Sequence, residues 1–330
     1  MKLSLLDILA CPKCGADLVC PQGTGSDDLV DGVLTCSGCR ASYPVREGIP
    51  RFVDDGNYAS SFGMQWNRFR TTQVDSVSGT GLSATRFFAE TGWAREWLRG
   101  KLVLDAGCGA GRFVEIAAEC GAQVLGVDIS SAVVAAAANV ARFPNAHIVQ
   151  ASLYELPFRR GVFDACYCIG VVQHTPDPDR TLASLPLVLK DGGRVAVVAY
   201  ERKPWTRFNA KYLIRPLTRR MPKGVLLKAI QVAMPAAFLI TEVLFRVPVV
   251  NRFFKFVIPV ANYAGELNLS LRQRYTWAIL DTFDMLSPAF DRPQTTPEVV
   301  NALTKASIVG IHRRPTAGLT VVGTKQESKR

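Results

Sequence analysis

Four cysteines stand in two C-x2-C pairs, Cys11/Cys14 and Cys36/Cys39, with 21 residues between the pairs. Each pair lies in a tight-turn sequence, CPKCG and CSGCR, which aims both thiolates at one point. Four thiolates so placed form a closed tetrahedral zinc site with no position left for water. Further on, Gly107, Gly109 and Gly111 form a G-x-G-x-G run after the apolar stretch 102–105, and a helical pattern follows. Glycines there let backbone approach a ligand and expose the N–H groups of a helix start to it. Asp128 ends the next apolar run, 17 residues after Gly111, where an acid suits the two hydroxyls of a ribose. His174, one of only three histidines, follows a later apolar run and is the first candidate for a general base. Tyr200, after the next such run, is the second.

The glycine run narrows the ligand. A dinucleotide loop, G-x-G-x-x-G, needs glycine at 112, where Arg112 stands. The phosphate loop G-x-x-x-x-G-K-[ST] is absent from this stretch. Asp105 directly precedes the loop and would repel a phosphate. It suits a ligand with an ammonium group, and S-adenosylmethionine (SAM) offers an ammonium, a sulfonium and a ribose diol without phosphate.

These groups need elements to hold them. Strand-like runs at 102–105, 123–128, 147–150, 163–169 and 193–199 alternate with helical patterns at 111–120, 130–141 and 178–189. Such alternation predicts an α/β fold, a doubly wound and mostly parallel sheet. A helix over 297–306 and strand-like runs at 307–313 and 319–323 complete a seven-stranded sheet. The expected domains are a zinc ribbon at 1–53, cap helices at 54–100 and a SAM-binding core at 101–200. A helical insertion at 201–296 and the last helix and strands at 297–330 follow. A ribbon of about 50 residues buries little core, so a metal clip makes physical sense there.

The stretches LVLDAGCGAGRF, VLGVDIS, ASLYELPF, GVFDACYCIGVVQHTPDP and LKDGGRVAVV resemble, in order, the motifs of class I SAM-dependent methyltransferases. The likeness is to the subgroup with quinone-biosynthesis and small-molecule enzymes, and implies their Rossmann-like fold. It implies that Asp105 and Gly107 lie near the amino-acid end of SAM, that Gly109 and Gly111 shape the loop, and that Asp128 holds the ribose. Ile129, Ser152, Leu153 and Gly170 complete the implied cofactor set, Ser152 and Leu153 beside adenine. Residues 2–53 resemble the small zinc-ribbon family of methyltransferase activators, which bind and stabilise a methyltransferase partner. Gln65, Trp66 and Arg86 are candidates to cover SAM.

The acceptor is less legible. Of the 39 Lys and Arg, 21 lie in 201–330 against 8 acids, whereas 1–52 and 53–200 each carry a net charge of −1. Within 202–255 there are 12 basic residues and one acid, Glu242, among Trp, Phe and Leu. Either a helical lid or contact with an anionic membrane accounts for that mixture. Polysaccharide and lipid-linked sugar methylases show similar FGxQW and DTFDxxSPxF patterns. Asp281, Asp284 and Arg292 are the acceptor-binding candidates.

The expected activity is methyl transfer to a small or lipid-linked acceptor, at oxygen. RNA methylation and a catalytically inert partner-binding fold are the alternatives, and a second copy of the chain is a candidate partner. The N-terminal apolar run is too short for a secretory signal, so the expected place is the cytoplasm, at most peripheral on the inner face of the membrane.

Overall fold

The computed structural model describes residues 1–20, 28–54, 56–265 and 267–328. The Gly-Thr-Gly-Ser stretch between the cysteine pairs lies outside them. The ribbon opens with a short 3-10 turn at Leu3–Asp7. Four strands follow, β1 (Leu18–Val19), β2 (Gly32–Cys36), β3 (Ser42–Arg46) and β4 (Ile49–Pro50), paired antiparallel in that order. Four cap helices come next: α1 (Ser60–Arg68), α2 (Asp75–Ser78), α3 (Leu82–Thr91) and α4 (Arg95–Leu98).

The large sheet begins at β5 (Leu102–Ala106). It continues through α5 (Arg112–Glu119), β6 (Gln123–Asp128), α6 (Ala132–Val140), β7 (Ala146–Gln150), β8 (Phe163–Ile169), α7 (Pro178–Ser184) and β9 (Leu189–Ala199). The insertion supplies α8 (Ala210–Thr218), α9 (Lys223–Leu244), α10 (Asn251–Val257) and α11 (Leu271–Leu286). Helix α12 (Thr296–Lys305) and strands β10 (Ile308–Arg313) and β11 (Leu319–Lys325) close the chain. The strand order is β10-β11-β9-β8-β5-β6-β7, with β11 antiparallel to both neighbours and β9, β8, β5, β6 and β7 parallel to one another. The order reverses beside β5, so the carboxyl ends of β5 and β8 open the crevice where such sheets bind ligands.

The two-residue period of the strands divides the core. Val103, Val124 and Tyr167 face one side, which α3, α4, α5 and α6 cover with Phe87, Leu98, Phe113 and Val133. Leu104, Leu125 and Cys166 face the other, covered by Leu182 of α7, Val299 and Leu303 of α12, and the ribbon itself. Leu9, Leu34 and Tyr43 of the ribbon belong to this same apolar cluster. Backbone bonds join the two: Phe52 N–H donates to Gln150 O at 2.8 Å, Ala10 N–H to Pro157 O at 3.0 Å, and Arg159 N–H to Ile8 O at 2.9 Å. Arg51 pairs with Gln150 as an isolated parallel bridge, so the end of the ribbon meets the edge of the large sheet at β7.

One boundary differs from expectation. The helix expected over 178–189 stops at Ser184, and β9 starts at Leu189, four residues before the expected 193. Pro186 explains it: proline cannot donate the helical hydrogen bond and its ring clashes with the preceding turn. Residues Leu185–Val188 form a 3-10 turn instead. Helix α9 runs on through Pro235. It packs Leu226, Ile230, Met234 and Phe238 on Ala278, Ile279 and Phe283 of α11, a separate small core.

Candidate active site

The crevice holds a cavity of about 820 Å³, near the upper end for small-molecule sites. Its floor is the glycine loop. Gly107, Gly109 and Gly111 all have left-handed backbone, with φ of 91°, 53° and 82°. At Gly107 a Cβ would come within 2.4 Å of Val171, so only glycine fits there. Gly109 N–H donates to Asp128 Oδ2 at 3.0 Å, while Ser130 N–H and Oγ–H donate to Oδ1 at 2.8 and 2.7 Å. These bonds orient the Asp128 carboxylate at the cavity wall. Burial raises its pKa, and the donors from Ser130 and Gly109 oppose that rise.

Asp105 lies beneath the loop, 1 % exposed, and its Oδ2 has no partner. Burial pushes its carboxyl well above the usual range, only partly offset by the Tyr167 hydroxyl. An orphaned buried carboxyl oxygen at this place fits a ligand carrying an ammonium group.

Helix α1 forms the roof. Asn67 Nδ2 donates to Ser131 O at 2.9 Å and Asn57 Nδ2 to Ile129 O at 2.9 Å, tying the helix to the start of α6. Gly63 allows the approach, since a Cβ there would lie 2.3 Å from Ser131 Oγ. The roof brings Phe62, Gln65 and Trp66 into the cavity wall, with the Trp66 indole against Gly109. Arg86 of α3 lines it too and pairs with Glu90 at 2.9 Å.

Of the sequence-expected cofactor residues, Gly107, Gly109, Asp128, Ile129, Leu153 and Gly170 line the cavity, whereas Asp105 lies beneath the loop and outside the wall. Gly111 sits behind them as the N-cap of α5. Ser152 is not in the wall; its hydroxyl accepts from Tyr154 N–H at 3.2 Å and keeps its own hydrogen to donate. His174 and Tyr200 line the cavity with ring centroids 5.3 Å apart.

The insertion supplies the far wall. Asp281 and Asp284 stand one turn apart on α11 and both reach the cavity. Tyr263 Oη–H donates to Asp281 Oδ2 at 2.5 Å; Gln65 Nε2 and Tyr200 Oη–H donate to the two oxygens of Asp284 at 3.0 and 3.3 Å. Gln65 is fully buried and its Oε1 has no partner. Arg292 does not join this wall; its guanidinium lies over the Phe290 ring, 5.3 Å from the centroid.

Sequence reasoning missed Gln73, Arg112, Lys211 and Tyr263, all in the wall. Arg112 carried a signal, because it displaces the last glycine of a dinucleotide loop. Its side chain bonds Gln73 Oε1, and burial with the nearby Arg86 lowers its pKa to about 10. Lys211 carries an ion pair to Asp291 at 2.8 Å and lies over the Tyr200 ring at 4.9 Å.

Burial raises the Asp281 pKa to about 6, with Asp284 adding to the rise and the Tyr263 bond opposing it. A raised folded-state value favours the fold below the ordinary carboxyl range and loses that contribution as pH climbs through 6. Asp281→Asn is therefore expected to be more stable than the parent at pH 7 by about 2–3 kcal/mol, and level with it near pH 4. Paired thermal melts at the two pH values check this. An equal difference at both would remove the buried charge as the cause.

The ribbon thiols form a second cluster. All four Sγ atoms lie within 4.8 Å of one another, with Cys14–Cys36 at 3.4 Å and Cys11–Cys39 at 3.6 Å. Tetrahedral zinc with bonds of about 2.3 Å requires sulfur separations of about 3.8 Å, so the cluster fits the ion. The Tyr43 hydroxyl lies 3.2 Å from Cys11 Sγ, and Cys39 N–H donates to Cys36 Sγ.

Comparison with known proteins gives two partial matches. Residues 104–197 match the model described as a methyltransferase domain, and residues 2–48 match the one described as Trm112p-like protein. The chain carries a methyltransferase domain behind a Trm112p-like ribbon. The chain is 32% identical over 138 residues to the ubiquinone biosynthesis O-methyltransferase of Acinetobacter baylyi, covering 38% of this chain and 55% of that one. The enzyme of the same name from Pseudomonas paraeruginosa is 32% identical over 135 residues, covering 38% and 57%. The chain thus spans little more than half the length of these relatives. Among solved structures, a complex of the Haloferax volcanii Trm112 methyltransferase activator aligns with a TM-score of 0.47 at 14% identity, over 83% of this chain and all of that one. Human N-acetylserotonin methyltransferase in complex with SAM aligns at 0.45 and 13% identity, over 83% and 61%.

Proposed function

We propose that this chain is a SAM-dependent methyltransferase acting on a hydroxyl of a small acceptor, with a structural zinc ion in its ribbon. One observation carries the reading: a single cavity joins the glycine loop and Asp128 to a polar wall of Asp281, Asp284, Tyr200 and Tyr263, with His174 between. Asp105, Gly107, Gly109 and Asp128 would hold SAM at its amino-acid and ribose ends. Cys11, Cys14, Cys36 and Cys39 would hold the zinc. The relatives' name supports oxygen as the methylated atom.

Bound SAM supplies an electrophilic methyl group on a sulfonium, which an acceptor oxygen takes by in-line displacement. The protein's share is alignment and removal of one proton. His174 Nδ1 lies 3.0 Å from the carbonyl oxygen of Phe290. A carbonyl can only accept, so Nδ1 carries the hydrogen, and neutral His174 keeps its lone pair on Nε2. Phe62 and Tyr200 hold the ring from both sides, at 5.0 and 5.3 Å between centroids. Nε2 would take the acceptor proton. Tyr200 is suited to donate rather than to abstract. Burial, then the Asp284, Asp291 and Asp281 charges, keep its hydroxyl protonated. Tyr200 lines the cavity. Asp284 offers an acceptor to a second substrate hydroxyl.

Calorimetric titration with SAM tests the reading. The parent is expected to bind at micromolar concentration. Asp128→Ala is expected to weaken binding about 100-fold, the equivalent of one strong charge-assisted hydrogen bond. Circular dichroism confirms that the variant stays folded. Intact, zinc-loaded protein that fails to bind SAM would sink the proposal.

A further inference from the structure

Helix α9 is apolar on two opposite faces. One face is used: Leu226, Ile230, Met234 and Phe238 pack on α11. The other is bare. Val225, Val232, Leu239, Ile240 and Val243 recur at helical spacing and are 53–83% exposed. Exposed apolar residues continue past its end, with Val249 in the following turn 92% and Phe253 of α10 61% exposed. Of the 24 large apolar side chains exposed among the described residues, 14 lie in 205–257. Concentration of this kind marks an interaction surface.

Charge says what covers it. Lys228 and Arg246 flank the stripe, and Arg219, Arg220 and Arg252 are exposed around it. The one acid of 202–255, Glu242, is already claimed: Arg274 binds both its oxygens at 2.6 and 2.9 Å, and Arg246 binds it too. A second copy of the chain would set cations against cations. A nucleic acid would meet the cations but leave the aliphatic stripe in water. An anionic lipid surface satisfies both, with aliphatic side chains at the acyl boundary and cations at the headgroups. By length and composition α9 could cross a membrane. Its inner face and Glu242 are committed to α11, however, so it would lie in the plane of the interface.

We propose that the exposed face of α9 and α10 docks this protein on an anionic membrane surface. On the reading above, docking delivers a membrane-borne acceptor, because the same insertion walls the cavity with Lys211, Tyr263, Asp281 and Asp284.

Co-sedimentation of the full chain with vesicles tests this. Vesicles of phosphatidylcholine with one-third phosphatidylglycerol are expected to bind at least about tenfold more protein than phosphatidylcholine alone. Added salt is expected to reduce that binding. Leu239→Asp with Val243→Asp should abolish it, and Lys228→Glu with Arg252→Glu should weaken it about tenfold, both keeping the parent's melting temperature. Absence of binding to the anionic vesicles at low salt would overturn the proposal. So would a parent dimer that the Leu239/Val243 variant dissociates, or RNA retention without vesicle binding. SAM titration of the same preparations separates failure of docking from failure of the catalytic reading.

Discussion

Removing the proposed ribbon zinc with a chelator is expected to lower the melting temperature of the whole chain by at least about 10 °C. Structural zinc sites contribute roughly 10–16 kcal/mol to the fold of small ribbons, since the thiolate cluster does not persist without the ion. The loss is not confined to the ribbon here. Leu9, Leu34 and Tyr43 share an apolar cluster with Leu104, Leu125 and Phe163 of the methyltransferase sheet. A collapsed ribbon uncovers that face and releases the bonds from Phe52, Ala10 and Arg159. Even about 5 kcal/mol passed on to the larger domain moves its midpoint by about 10–20 °C. Cys36→Ser should reproduce most of the effect without chelator. Calorimetry with metal analysis of the same sample gives the answer. A metal-free protein that melts where the loaded one does would show that the ribbon folds and docks unaided.

Replacing His174 by alanine is expected to lower kcat by about 10²- to 10⁴-fold, the usual worth of a positioned general base. Release of S-adenosylhomocysteine with a panel of phenolic and sugar acceptors measures it. SAM affinity should stay within about twofold, because the ring contacts Phe62 and Tyr200 rather than the glycine loop. That split between binding and turnover separates a base from a wall residue, which would move both. Tyr200→Phe removes one donor and should cost only about tenfold. Turnover in His174→Ala within about fivefold of the parent would dismiss the base assignment and leave alignment alone as the catalytic device.

The parts of this molecule visible from sequence are those set by short covalent spacing. The cysteine pairs, the glycine run and Asp128 each sit on one turn or one strand end, so their geometry follows from their neighbours. The strands were legible because burial on both faces demands an unbroken apolar run. The α7 boundary was not, since the apolar run 185–189 continues the helical pattern and only Pro186 contradicts it. The far wall was half legible. Asp281 and Asp284 share a helix face with spacing that places both in the cavity. Gln73 and Tyr263 come from loops whose approach depends on how α11 packs, and no local pattern encodes that. Ser152 and Arg292 lie outside the wall, and no local pattern marks them as different from the residues that line it.

The bridge between Arg51 and Gln150 has a consequence for assembly. An activator on a separate chain must find its methyltransferase by diffusion, and occupancy then follows the abundance of both proteins. Here the cap helices and the first strands of the sheet connect the ribbon to its dock within one chain. Such a tether sets an effective concentration in the millimolar range, above that of most free proteins. The contact area can therefore be smaller than a stable two-chain interface requires. Stoichiometry is fixed at one to one by synthesis, and dilution cannot separate the pair.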